Sequence, residues 1–333
     1  GSAAASGWGI PTATDIAFAV GILSILGDRV PVSLKVFLTA LAIADDLIAI
    51  LVVALFYGGT INFGLLSIAF VLIALVLLMN KLGEKRGWFY LVPAIAIWSL
   101  FYYAGIHSTM SGVVMAFLVP MTPRFNEAYF HRKRLQYIRR LNEYNGIAST
   151  SSEFPNGPQR HCLRRLSAIS RDSIGMSYRL EHALGPWVNF LIMPIFALAN
   201  AGVEIPDVSY FNVFQFDQVL GSVSMGIFLG LVLGKPLGIS LASFIAVKLH
   251  VGEMPAKSTW PMLIAVACLG GIGFTMSIFV DTLSFGDQTP EVMARLRDMG
   301  KVAVLMGSLC AGILGSVLIN IIHGIESRKA VKA

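Results

Sequence analysis

Nine stretches of mostly apolar residues follow one another along this chain, near residues 9–26, 32–57, 62–80, 88–104, 106–119, 183–202, 219–249, 260–281 and 301–323. A helix needs about 20 such residues to cross the hydrocarbon core of a bilayer. In that medium every backbone donor and acceptor must be satisfied inside the segment, so a chain with this pattern folds as a bundle of spanning helices. Composition points the same way. Of 333 residues, 56% are hydrophobic and 13% charged, where a soluble domain carries about 25% charge. The same proportions exclude disordered and collagen-like chains. Three cysteines, Cys162, Cys268 and Cys310, provide neither a disulfide framework nor metal-ligand spacing. The expected fold class is an all-α polytopic membrane protein.

Charge sorts the loops. Residues 121–182 carry eleven Lys or Arg against five Asp or Glu, an excess equal to the whole-chain net charge of +6. That basicity belongs to one connector and does not imply nucleic acid as a partner. The chain therefore divides into spans one to five (1–120), a basic cytoplasmic connector (121–182) and spans six to nine (183–333). Within the connector, 125–144 reads as an amphipathic surface helix and 145–159 as a flexible loop. Its cations suit anionic lipid head groups. Arg29, Lys35, Lys81, Lys85, Arg86, Lys248 and Lys257 fall on the same side as the connector. The positive-inside rule then places the C-terminus in the cytoplasm and, with nine spans, Gly1 outside.

Four ionisable residues interrupt the apolar runs: Asp15, Asp45, Asp46 and Lys235. A charge at mid-bilayer costs roughly 2.5–3.5 kcal/mol on insertion scales, so such groups mark ion or proton sites by default. Asp45 and Asp46 are adjacent in Leu41-Ala-Ile-Ala-Asp-Asp-Leu. Neighbouring helical residues point about 100° apart, so one carboxylate can face water while the other faces a helix. Burial and a second acid nearby both favour the protonated form of a carboxylic acid. Deprotonated, the same group is a hard oxygen ligand for a small cation. A site that accepts either a proton or a cation is the minimum chemistry of an exchanger. Lys235, in Gly234-Lys-Pro-Leu-Gly, can neutralise a carboxylate on another span.

Two spans are broken. Pro11-Thr-Ala-Thr-Asp15 interrupts the first, and Gly270-Gly-Ile-Gly-Phe-Thr275 the eighth. Irregular backbone at membrane depth survives only inside protein or beside water. If the breaks cross, like ends of the half-helices face each other; Asp15 can balance the positive ends and Lys235 the negative ones. Interrupted spans in matching positions of two halves point to a transporter binding site. No Walker or dinucleotide pattern is present, so neither a nucleotide-driven pump nor a cofactor is expected.

The segments Ala13-Thr-Asp-Ile-Ala-Phe-Ala, Leu41-Ala-Ile-Ala-Asp-Asp-Leu, Gly234-Lys-Pro-Leu-Gly-Ile-Ser and Gly271-Ile-Gly-Phe-Thr-Met-Ser-Ile-Phe closely resemble the NhaA family of sodium/proton antiporters. Leu180-Glu-His-Ala-Leu-Gly-Pro-Trp and Phe196-Ala-Leu-Ala-Asn-Ala-Gly resemble it too. The likeness spans nearly everything except 121–182, and its motifs fall in the family's order. It implies an inverted-repeat fold with two broken, crossing helices. It implies Asp46 as cation ligand and proton site, Asp45 as its partner, ion-paired with Lys235 in one state, and Thr14 and Asp15, on the unwound part of the first span, as further members of the ion- and proton-binding site, with Asp15 mainly balancing helix ends. It implies electrogenic, alkaline-activated exchange of sodium or lithium for protons by alternating access in the bacterial inner membrane, without enzymatic activity. Family members have twelve spans, of which this chain resembles the last nine; three more are expected upstream, with the hairpin through which the family forms homodimers. A sodium-coupled organic-solute symporter of the same architecture is the alternative reading.

Overall fold

A computed structural model describes residues 3–56, 61–84, 86–123, 125, 127–147, 156–200, 202, 220–285 and 290–332. Among these there is no strand. A 3-10 stretch, Ala3–Thr12, precedes α1 (Ile16–Leu26), α2 (Val32–Phe56), α3 (Phe63–Lys81), α4 (Trp88–Tyr103) and α5 (Thr109–Leu118). Then come α6 (Glu127–Ile147), α7 (Gly157–Asp172), α8 (Met176–Trp187) and α9 (Met193–Asn200). The remainder is α10 (Leu220–Leu229), α11 (Lys235–Lys248), α12 (Trp260–Leu269), α13 (Phe274–Ser284) and α14 (Pro290–Lys332). The all-α polytopic class expected from the apolar runs is the class observed.

Among the described residues, six stretches are long and apolar enough to cross a bilayer: Gly7–Arg29, Val32–Ala54, Phe63–Lys81, Met176–Asn200, Val223–Lys248 and Val292–Arg328. A seventh is the pair α12 and α13, bent by 52° at its break. The other two expected spans form α4 and α5, of 16 and 10 residues. At 1.5 Å per residue neither reaches the ~30 Å of a bilayer core.

The chain folds as two units. One comprises Gly1–Gly58 with Leu191–Ala333. Its apolar interior is in two parts. Ala19 and Leu23 of α1, Leu34 and Leu38 of α2, Leu263 and Val266 of α12 and Ile319 of α14 form the first. Ile10, Val53, Ile227, Leu231, Ile278, Leu296 and Val304 form the second. Pro236 brings no backbone N–H to bond the fourth carbonyl before it. The helix accommodates this with a π turn, Gly230–Gly234, immediately ahead of α11.

The other unit, Gly59–Phe190, packs α3, α4 and α5 around Ala69, Val76, Tyr90, Ile97, Phe101 and Met115. The connector is more helical than its sequence suggests. The expected surface helix is α6, but α7 replaces the end of the expected loop, and α8 begins seven residues before 183. A capping box starts α7, in which Asn156 N–H donates to Gln159 Oε1 at 2.7 Å. The rest of the expected loop, 148–155, lies outside the described residues.

Candidate ion-binding site

The two breaks lie against each other. Ala13, Thr14 and Asp15 are non-helical between the 3-10 stretch and α1, and the second break runs from Gly270 to Gly273. Asp15 N–H donates to the Ile272 carbonyl at 2.6 Å, joining the breaks through backbone. Gly271 permits the approach of a third segment: a Cβ there would overlap the Leu231 carbonyl oxygen in the π turn ahead of Lys235.

Asp15 is 1% exposed and serves two helix ends. Its Oδ1 accepts from Phe18 N–H at 3.1 Å, capping α1. Its Oδ2 accepts from Thr275 N–H at 3.0 Å and from the Thr275 hydroxyl at 2.5 Å, at the start of α13. Helix N-termini carry unsatisfied donors and partial positive charge, so a carboxylate between two of them meets both demands. The preceding donors of α13, Gly273 N–H and Phe274 N–H, bond Ser308 Oγ of α14 at 3.2 and 3.1 Å.

Thr14 faces a helix end of the opposite kind. Its hydroxyl lies 2.9 Å from the Gly270 carbonyl, at the C-terminus of α12, and 2.8 Å from Asp45 Oδ2. One hydroxyl proton is shared between these acceptors. Lys235 Nζ donates to Thr14 Oγ1 and, at 2.7 Å, to Asp45 Oδ2. The Lys235 and Asp45 side chains are 11% and 20% exposed, so the pair is largely sheltered but not sealed. A cation, a hydroxyl and a carboxylate thus meet at one point, contributed by α11, the first break and α2.

Asp46 stands apart from that knot. It is half-buried, and its Oδ1 is buried without a hydrogen-bond partner. The adjacent carboxylates therefore differ as their helical spacing implies: one is engaged with another helix, and the other keeps an acceptor oxygen free.

Sequence does not single out two further side chains of this region. Ser308 is a lone hydroxyl in an apolar run, and only the crossing reveals what it caps. Asp281 falls at the expected end of the eighth span, so it reads as a loop residue; α13 continues to Ser284 and buries it completely. A cavity of about 600 Å³ adjoins the crossing and is lined mainly by apolar side chains, among them Phe18, Ile22, Phe274, Leu305 and Leu309.

Residues 1–319 match the family described as Na+/H+ antiporter 1. This chain belongs to that family. It is 39% identical over 329 residues to the Na(+)/H(+) antiporter NhaA of Bacteroides thetaiotaomicron, covering 99% of this chain and 71% of that protein. To the NhaA of Oleidesulfovibrio alaskensis it is 40% identical over 331 residues, 99% of this chain and 70% of the relative. To the Shigella dysenteriae protein it is 37% identical over 309 residues, 93% and 65% of the respective lengths. Na+/H+ antiporter 1 proteins are transporters, not enzymes, and the apolar helices make this member a multi-pass membrane protein.

Proposed function

We propose that this chain is the ion-exchanging core of an electrogenic Na+(Li+)/H+ antiporter of the bacterial inner membrane, with its C-terminus in the cytoplasm. The supporting observation is the meeting of Asp45, Lys235 and Thr14 at the crossed breaks, beside an Asp46 with an unpartnered buried oxygen. Asp46 is the cation ligand and proton acceptor. Sodium or lithium enters only when Asp46 has lost its proton. Asp45 joins as second ligand when it leaves Lys235, with Thr14 Oγ1 close by. Lys235 stabilises the ion-free state by taking Asp45 back.

Exclusivity couples the fluxes. A carboxylate oxygen holding a proton is a poor cation ligand, and a bound cation opposes protonation. Alternating access presents the site to one side in each state. Exchange is electrogenic when more than one of Asp45, Asp46 and Lys235 changes protonation per univalent cation. Alkaline activation follows from reduced proton competition on the cytoplasmic side. The symporter reading is set aside by family membership, and the apolar cavity beside the crossing offers few partners to a polar organic solute.

The test is sodium-induced collapse of a preformed pH gradient in everted vesicles. Wild type dissipates the gradient and Asp46→Asn does not. Undiminished exchange in Asp46→Asn overturns the assignment.

A further inference from the structure

Asp281 has no part in the chemistry above, yet it is the most completely enclosed acid among the described residues that lacks a partner. It is 0% exposed, and neither carboxyl oxygen has a hydrogen-bond partner. Ser277, Asp281 and Ser284 stand four and three residues apart, on one face of α13. All three are buried. The Ser284 hydroxyl is turned back to the Val280 carbonyl at 2.8 Å, and Ser277 Oγ is unpartnered. The carboxyl presses onto the backbone of α14 at Gly300, where a Cβ would overlap Oδ1 and lie 2.8 Å from Cγ. A larger residue at 300 would displace the carboxyl from this position.

Few charges face this carboxyl. On α14 they are Arg297, Asp298 and Lys301. Neither cation forms an ion pair with Asp281 within 4.0 Å among the described residues. Lys301 Nζ donates instead to the Gly202 carbonyl at 3.0 Å, and Arg297 Nε is buried without a partner. Among the described residues, the other elements packed most extensively against α13 are the 3-10 stretch, α9 and α2. The first two carry no charged residue, and α2 contributes the acids Asp45 and Asp46 at the crossing, with Lys35 near its start. An ionised carboxylate enclosed without a donor or a contacting cation carries a large desolvation penalty; the neutral acid does not.

We propose that Asp281 is a second proton-binding site, separate from the Asp45–Lys235 centre, that holds its proton while α13 and α14 are packed at Gly300 and releases it to water when that contact opens. Once ionised, the carboxylate is the natural partner for the Arg297 guanidinium. Proton uptake at Asp281 therefore favours the closed α13–α14 packing, on the helix that follows the second break. The inference does not depend on the exchange chemistry assigned to Asp46.

The experiment uses the full chain reconstituted in lipid, with infrared difference spectra between acid and alkaline pH and melting temperatures over the same range. Wild type should show a protonated-carboxyl C=O band that is absent in Asp281→Asn and retained in Asp46→Asn. The asparagine variant, shaped like the neutral acid, should melt like wild type at acid pH and lose less stability on going alkaline. Arg297→Gln supplies an independent arm: it should match wild type at acid pH and fall below it only at alkaline pH. A spectrum unchanged by Asp281→Asn overturns the proposal. So does an Arg297→Gln protein that melts lower at acid pH, since that would mean the carboxylate was already ionised and paired.

Discussion

Asp15 and Thr275 are joined twice, by the backbone N–H at 3.0 Å and the hydroxyl at 2.5 Å, both to the same carboxylate oxygen. The other oxygen caps α1. One side chain therefore caps two half-helices, one of them at a residue 260 positions away in the chain. Loss of a capping acceptor costs about 0.5–2 kcal/mol per helix end, and bonds to a charged group more. Asp15→Ala should lower stability by about 2–4 kcal/mol, and Asp15→Asn by less, since an amide oxygen can still cap one end. Thermal unfolding of the purified protein reads both. Equal melting temperatures for wild type and Asp15→Ala would refute the shared cap.

Asp45 and Lys235 should be coupled in stability. Removing one member leaves the other charge uncompensated among helices, which costs about 3–5 kcal/mol for a fully buried pair. With 11% and 20% side-chain exposure, about 2–3 kcal/mol is expected for Lys235→Met or Asp45→Asn alone. The double variant should be more stable than the sum of the two losses predicts. Strict additivity in a double-mutant cycle of melting free energies would show that the pair contributes nothing.

Asp46→Asn should behave oppositely. Its buried oxygen bonds nothing, so neutralising the side chain removes no partner. Stability should hold within about 0.5 kcal/mol of wild type, the usual range where no contact is lost. Sodium-driven proton release should fall at least about tenfold if Asp46 is the cation ligand proposed above. A variant that unfolds more readily than Asp45→Asn would contradict this division of labour.

Much of this arrangement is legible in the order of residues alone. Asp45, Asp46, Asp15 and Lys235 are conspicuous because a charge in an apolar run demands a reason, and Gly270-Gly-Ile-Gly273 marks one break in the α-helical backbone, whereas Pro11 stays inside the 3-10 stretch and the other break falls just after it, at Ala13, Thr14 and Asp15. What cannot be read is which groups share a space. Thr14 touches Asp45, Lys235 and Gly270 only because the breaks cross, and a threonine carries no charge to announce it. Ser308 is silent for the same reason. Asp281 is hidden wherever a charge is taken to end a span, whereas α13 runs on to Ser284. The helix α7 lacks an apolar run altogether; its signal is local, in Asn156, Pro158 and Gln159 at its start.

Ser308 separates capping from ion chemistry. Its oxygen accepts from Gly273 N–H and Phe274 N–H at the start of α13. Ser308→Ala should cost about 1–2 kcal/mol, and Ser308→Thr should restore most of it. The sodium concentration for half-maximal exchange should shift less than about threefold, because the hydroxyl serves backbone rather than cation. A large shift without loss of stability would place Ser308 among the ligands instead.

The competition proposed at Asp46 has a quantitative signature in pH. Where a single proton and a single sodium ion exclude one another, each unit fall in pH should raise the apparent sodium dissociation constant about tenfold over the range in which the acid is protonated; above that range affinity levels off. Linkage requires the converse: sodium binding must release protons, most strongly in the same pH interval. Isothermal titration of sodium into the purified protein, in buffers of different ionisation enthalpy, measures affinity and proton release together. Asp46→Asn should abolish both the slope and the release, whereas Asp281→Asn should leave them intact, because that acid lies outside the competing site. Sodium affinity independent of pH across the working range would break the coupling between the two fluxes.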